Sequence, residues 1–62
     1  MLDRFVRLPE ARRITGLSRA AIYAGMKNNA FPRSYTIGLR TVAWSADELG
    51  EWVGRMKARR GA

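Results

Sequence analysis

The side chains in this sequence that have chemistry to offer are mostly guanidinium groups, and their spacing suits binding. Arg19, Tyr23 and Lys27 recur at every fourth position, which places them on one face of an α-helix. Arg33 and Arg40 bracket a stretch of alternating residues that begins Ser34-Tyr35-Thr36-Ile37. A guanidinium is a planar fork of donors that can meet phosphate oxygens, or O6 and N7 of guanine, in bidentate fashion. The catalytic inventory is thin by comparison, with no Cys, no His and only 5 acids. Disulfides, thiol redox chemistry and the commonest soft-ligand metal sites are excluded, and no paired nucleophile and base is visible. Neither an enzyme nor a bound cofactor is expected.

The distribution of charge sharpens this. The formal net charge is +7 with a pI near 11.4, and no acid occurs from Ala11 through Ala46. Arg12, Arg13, Arg19, Lys27, Arg33 and Arg40 all fall in that window, while Asp3, Glu10, Asp47, Glu48 and Glu51 sit towards the ends. A polyanion is the natural partner. A membrane surface is also polyanionic, but no apolar run approaches a span and Met1-Leu2-Asp3-Arg4-Phe5 lacks the apolar core of a signal peptide. The expectation is a soluble cytoplasmic protein with no membrane partner. A chain of 62 residues buries only about 60% of the surface its unfolded form exposes, which leaves no room for a deep enclosed pocket. One domain over residues 1–62 is expected, with a core from about 5 to 57 and a frayed basic tail from Ala58 to Ala62.

The elements that must position these groups follow from local pattern. Pro9 suits a first helical turn, so a helix is predicted from about Pro9 to Thr15, with Leu8, Ala11 and Ile14 inward and Glu10 at the positive end of the dipole. Gly16 is the residue type wanted where a helix ends in a left-handed turn. Ser18 is an N-cap for a second helix, and Leu17 and Ile22 are spaced as a hydrophobic staple. So short a joint forces two helices to cross steeply, a helix-turn-helix. Ala21, Ile22 and Met26 form the packing face of the second helix, which should end around Asn28-Asn29. Gly25 inside it costs roughly 1 kcal/mol relative to Ala in an exposed interior, and close packing is the reason expected for it.

Beyond Phe31-Pro32, two alternating stretches flank Gly38-Leu39-Arg40 and predict a β-hairpin. Tyr35, Ile37, Val42 and Trp44 are expected inward, and Ser34, Thr36, Thr41 and Ala43 outward. Ser45-Ala46-Asp47-Glu48 is a capping-box sequence opening a third helix, in which Leu49, Trp52, Val53 and Met56 form the inward stripe. The predicted core joins Leu8, Ile14, Leu17, Ile22, Met26, Phe31, Ile37, Val42, Trp44, Leu49, Trp52 and Val53. The fold class is α+β, a small winged helix-turn-helix in the order helix, helix, β-hairpin, helix.

The wording of several segments is also familiar. Arg7-Leu8-Pro9-Glu10, Ile14-Thr15-Gly16-Leu17-Ser18-Arg19, Ile22-Tyr23, Phe31-Pro32-Arg33, Ile37-Gly38, Val42, Trp44 and Trp52 together resemble the AlpA family of phage and mobile-element regulators, relatives of MerR-like winged helices and small excisionases. The resemblance spans about Arg7 to Val53. It implies double-stranded DNA binding, with the second helix in the major groove and the hairpin as a wing on the backbone or minor groove. It further implies transcriptional regulation, or excision as a recombination directionality factor, with a tyrosine integrase or RNA polymerase as protein partners in a bacterial cell.

The DNA-contacting residues expected are Ser18, Arg19, Ala20, Tyr23, Lys27, Arg33, Thr36 and Arg40. Arg19 is expected to face the groove, either reading a base or contacting only phosphate or water, and Ala20 lies within reach of a thymine methyl. Lys27 and the Ser18 hydroxyl are phosphate contacts, Ser18 being first of all a cap. Tyr23 either reads DNA or is buried between helix and hairpin. Arg33, Thr36 and Arg40 belong to the wing, whereas Arg12 and Arg13 supply a general positive field. One module touches few base pairs, so further copies side by side on repeated sites are expected. The alternative is a protein-binding adaptor whose basic surface meets an acidic partner.

Overall fold

The computed structural model describes residues 3–60 of the chain, so residues 61–62 of the expected basic tail lie outside the described residues. The order is β1 (Phe5–Val6), α1 (Leu8–Thr15), α2 (Arg19–Lys27), β2 (Tyr35–Gly38), β3 (Thr41–Ser45) and α3 (Ala46–Ala58). The three strands form an antiparallel sheet in the order β1-β3-β2. This is the winged helix-turn-helix expected, with β1 added: a two-residue strand is too short to show alternation. It pairs Phe5 with Ser45 and Val6 with Trp44.

Local chemistry accounts for the helix ends. Gly16 adopts φ 76° and donates its N–H to the Arg12 carbonyl at 2.8 Å, closing α1 through a left-handed residue. The Ser18 hydroxyl accepts from the Ala21 N–H at 3.1 Å and opens α2. At the far end Asn28 caps α2 and Asn29 takes φ 59°, as consecutive asparagines suggest. The Ser45 hydroxyl accepts from the Glu48 N–H at 3.1 Å. The expected capping box is only half formed, because the Glu48 carboxylate turns to accept from the Tyr35 hydroxyl at 2.6 Å. Asp3 supplies a second cap in its place, accepting from the Ser45 hydroxyl and from the Asp47 N–H at 2.9 Å.

The buried cluster comprises Val6, Ala11, Ile22, Phe31, Trp44 and Leu49, with Leu8, Leu17, Met26, Val42, Ala46 and Trp52 packed around it. Several expectations need correction. Ile14, near the end of α1, and Ala21, in the first turn of α2, are exposed. Tyr35 and Ile37 are exposed as well, at 43% and 44%, and the strand register explains why. Tyr35 lies opposite Ala43, and Thr36 opposite Val42. Opposed residues in an antiparallel pair share a face, so Tyr35 shares Ala43's face and not that of Trp44. Ile37 is then the extra residue of a bulge between the Thr36 and Gly38 pairings, which leaves a two-residue tip, Leu39-Arg40, where three residues were expected.

Ala43, expected to face outward, is fully buried. Phe5 lies opposite Ser45 and Tyr35 opposite Ala43, so both rings stand on Ala43's face of the sheet. Their strands flank β3 and are therefore roughly 10 Å apart, yet the ring centroids are 5.6 Å apart. The two rings lean together over β3 and cover Ala43.

Candidate nucleic-acid interface

The exposed side of α2 is set from its first turn. With Ser18 as cap, Arg19, Ala20, Tyr23 and Lys27 all face solvent, while Ile22 is fully buried and anchors the helix. Tyr23 is packed against the core on one side and open to solvent on the other. Its ring meets that of buried Trp44 edge-on, with centroids 6.2 Å apart and planes at 72°, yet 38% of the residue remains exposed. Arg19 lies over the same ring, its guanidinium carbon 5.5 Å from the centroid. A cation held over a π face is worth about 0.5–1 kcal/mol at an exposed site. Trp44, Tyr23 and Arg19 thus make a continuous stack from the core to the surface, and the guanidinium that leads α2 is partly ordered before it meets a ligand.

The joint between α1 and α2 forms a shallow concavity lined by Pro9, Arg12, Arg13, Gly16, Leu17 and Ser18. It brings two guanidinium side chains to the positive end of the α2 dipole, an arrangement that suits a phosphate. Arg12 and Arg13 therefore have a defined location beside the turn, more than the general field their positions in the sequence suggested.

On the wing, Thr36 and Arg40 are exposed. Arg40 shares the tip with Leu39, which is 98% exposed, and Ile37 bulges out just before it. The wing end is therefore apolar as well as cationic. Leu39 was missed in the sequence because a leucine between Gly38 and Arg40 looks like an ordinary turn residue; the one signal was a large apolar side chain where turns favour small polar ones. Arg33 stands apart from the tip. It lines a separate groove with Phe31, Trp52 and Met56, between the α2–β2 connection and the end of α3.

The acids are elsewhere. Arg4 pairs with Glu10 at 2.6 Å and its carbonyl accepts from the Ala46 N–H, while Asp3 and Glu48 make the contacts already described. The hydrogen bonds from Ser45 and from the Asp47 amide hold the Asp3 carboxyl below the ordinary carboxylate range. The Arg4 guanidinium does the same for Glu10. Hydrogen bonding to the Glu48 carboxylate, together with its charge, raises the Tyr35 phenol above its usual value. Asp3 and Glu48 lie at the start of α3, Glu10 at the head of α1 is tied there through Arg4, and none of these acids lies on α2 or the wing tip. Among the described residues no acids converge as a metal-binding group, and no helix is long and apolar enough to cross a membrane.

Comparison with known proteins fits this arrangement. The family model described as "Prophage CP4-57 regulatory protein (AlpA)" matches residues 4–57. The chain is 37% identical over 59 residues to "Uncharacterized protein ORF88" of Enterobacteria phage P4, an alignment covering 94% of this chain and 67% of that one. It is 32% identical over 56 residues to "DNA-binding transcriptional activator AlpA" of Escherichia coli strain K12, covering 81% of this chain and 80% of that protein. No solved structure matches it.

Proposed function

The chain belongs to the AlpA family of prophage regulatory proteins, and on that premise we propose that it is a sequence-specific double-stranded DNA-binding regulator. The observation that carries the reading is the separation of charge. Arg19, Lys27 and Arg40 are presented with no acid among them, while Asp3, Asp47 and Glu48 lie around the start of α3 and Glu10, at the head of α1, is paired with Arg4. The relative named as a DNA-binding transcriptional activator adds support.

In this mechanism α2 enters the major groove. Arg19, steadied on Tyr23, pairs with guanine O6 and N7, a contact that discriminates by about 1–3 kcal/mol. Ala20 meets a thymine methyl, and Lys27 and the Ser18 turn meet phosphates on either side. The wing contributes Arg40 at its tip and Thr36 on its strand, against the backbone or minor groove, whereas Arg33, expected there from the sequence, lines the groove beside α3 and is left out of this contact set. The acidic pole faces away from the duplex. Copies bound side by side on repeated sites supply the specificity that one small module lacks.

Footprinting on DNA flanking the gene tests this reading. A protected site is expected, with affinity falling steeply in salt: about five phosphates neutralised per copy give a log–log slope of roughly −4 to −5. Arg19→Ala should flatten the preference among sequences, and Arg40→Ala should weaken all sequences alike. A salt-insensitive complex refutes the electrostatic basis, and the opposite mutant pattern exchanges reader and clamp. Protection at a promoter favours regulation, and protection beside an attachment sequence favours excision.

A further inference from the structure

The two ends of α3 are complementary to each other. Around its first turn lie Asp3, Asp47, Glu48 and, one turn on, Glu51, beside the half-exposed rings of Phe5 and Tyr35. At its last turns lies the open groove. Phe31 is buried, Pro32, Trp52 and Met56 are half-buried, and Arg55 and Arg59 are exposed beside them. The groove is a built feature: the Phe31 and Trp52 rings pack edge-on at 5.1 Å between centroids, and Trp52 Nε1 donates to the Ala30 carbonyl at 3.0 Å. One pole is therefore acidic with exposed aromatic rings, and the other is a cationic-rimmed slot with an apolar floor. The helix of 13 residues between them spans about 20 Å.

We infer that the acidic, aromatic pole of one copy docks on the arginine-rimmed groove of the next, so that the chain associates head to tail with itself. Charge complementarity decides the occupant. The rim calls for carboxylates and the floor for aromatic or aliphatic groups, and the opposite pole of this same chain presents both together. A phosphate backbone would satisfy the rim and leave the floor exposed. The two surfaces differ, so the contact is heterologous and does not close on itself, and each added copy leaves one of each pole free for another. Contact through one pole is small, so it is weak in free solution and gains strength when DNA holds the copies together. The inference stands on these two surfaces and does not depend on the DNA reading.

The test uses the free protein at about 0.15 M salt, where the mutual repulsion of two +7 chains is screened beyond about 8 Å. Sedimentation and amide NMR shifts are followed from micromolar to millimolar concentration for the wild type, Asp47→Arg, Arg55→Glu and an equimolar mixture of the two variants. Both positions are exposed, and thermal melts confirm that each variant folds. The wild type should show an average mass that rises with concentration without a plateau at two copies, with shifts at Phe5, Tyr35, Trp52 and Met56. Each variant alone at least halves the charge of one pole and sets like charges against each other where positions 47 and 55 meet, so it should associate about tenfold more weakly. The mixture should recover association, because the reversed charge at position 47 of one variant meets the reversed charge at position 55 of the other. A wild type that stays monomeric, a plateau at a closed dimer, shifts confined to α2 and the wing, or a mixture that fails to recover overturns the proposal. So does a monomeric wild type that takes a synthetic Asp- and Phe-rich peptide in the groove, which would assign the site to a foreign acidic partner.

Discussion

Replacing Gly25 by Ala should destabilise this protein, although the same change in an exposed helix normally stabilises it. Alanine in a helix interior gains about 1 kcal/mol over glycine. At Gly25, however, a Cβ would lie 2.8 Å from Phe31 Cβ, a separation that real side chains do not tolerate. Phe31 cannot withdraw easily, because the opposing atom is its own Cβ and the backbone beside it is held twice. The Ala30 N–H donates to the Gly25 carbonyl at 2.8 Å, and the Ala30 carbonyl accepts from Trp52 Nε1. The Phe31 ring is buried against Trp52. Overpacking of this kind costs about 1–3 kcal/mol, so the net effect is a loss of about 0–2 kcal/mol.

Gly50 and Gly54 provide the control, since both lie in α3 with nothing within 4 Å of an added Cβ. Gly50→Ala should gain about 1 kcal/mol and raise Tm by roughly 4–8 °C in a domain of this size. The helix-propensity gain is common to both variants, so their difference, about 1–3 kcal/mol, isolates the contact with Phe31. Thermal and urea unfolding followed by circular dichroism measure it. A Gly25→Ala protein as stabilised as Gly50→Ala would refute the close approach, and with it the account of how α2 is fixed against the connection leading into the wing.

Three further outcomes follow from the same contacts. Asp3→Ala should lower Tm at neutral pH, and the gap from wild type should narrow in acid. The folded-state pKa of Asp3 is depressed, so its contribution is present above the ordinary carboxylate value and is lost as pH falls through the lowered one; a gap constant with pH would refute the capping role. Tyr35 is the reverse case, with its pKa raised by Glu48: its contribution holds below the ordinary phenol value and is lost as pH rises through the higher one. Ultraviolet titration should show Glu48→Gln ionising Tyr35 earlier than wild type, and no change would mean that the hydrogen bond does not persist in solution. Tyr23→Leu removes the ring beneath Arg19 and should weaken DNA binding roughly two- to fivefold, most at sequences that Arg19 reads. Equal loss at all sequences would show that Tyr23 acts apart from Arg19.

What was legible in the sequence was whatever one element decides for itself. Ser18, Gly16, Asn28 and Ser45 mark helix ends through their own side chains or backbone freedom, and they occupy those places in the structure. What escaped was set between elements. The inward placement of Tyr35 and Ile37 failed because alternation gives each strand two faces without saying which one meets the core. The answer depends on pairing with β3 and on a bulge of a single residue. The Glu48 side chain serves its capping box by sequence, but once Tyr35 lies within reach it turns there, and Asp3, 44 positions before Asp47, takes up the cap. The charge pattern shows the same division most clearly. In the sequence the acids form two groups, Asp3 and Glu10 near one end and Asp47, Glu48 and Glu51 near the other. The pairing of Phe5 with Ser45 and Val6 with Trp44 brings those groups to one place. A two-residue strand with little stability of its own thus joins the acidic ends of a basic chain, and both the proposed DNA-facing surface and the proposed head-to-tail contact depend on that joining.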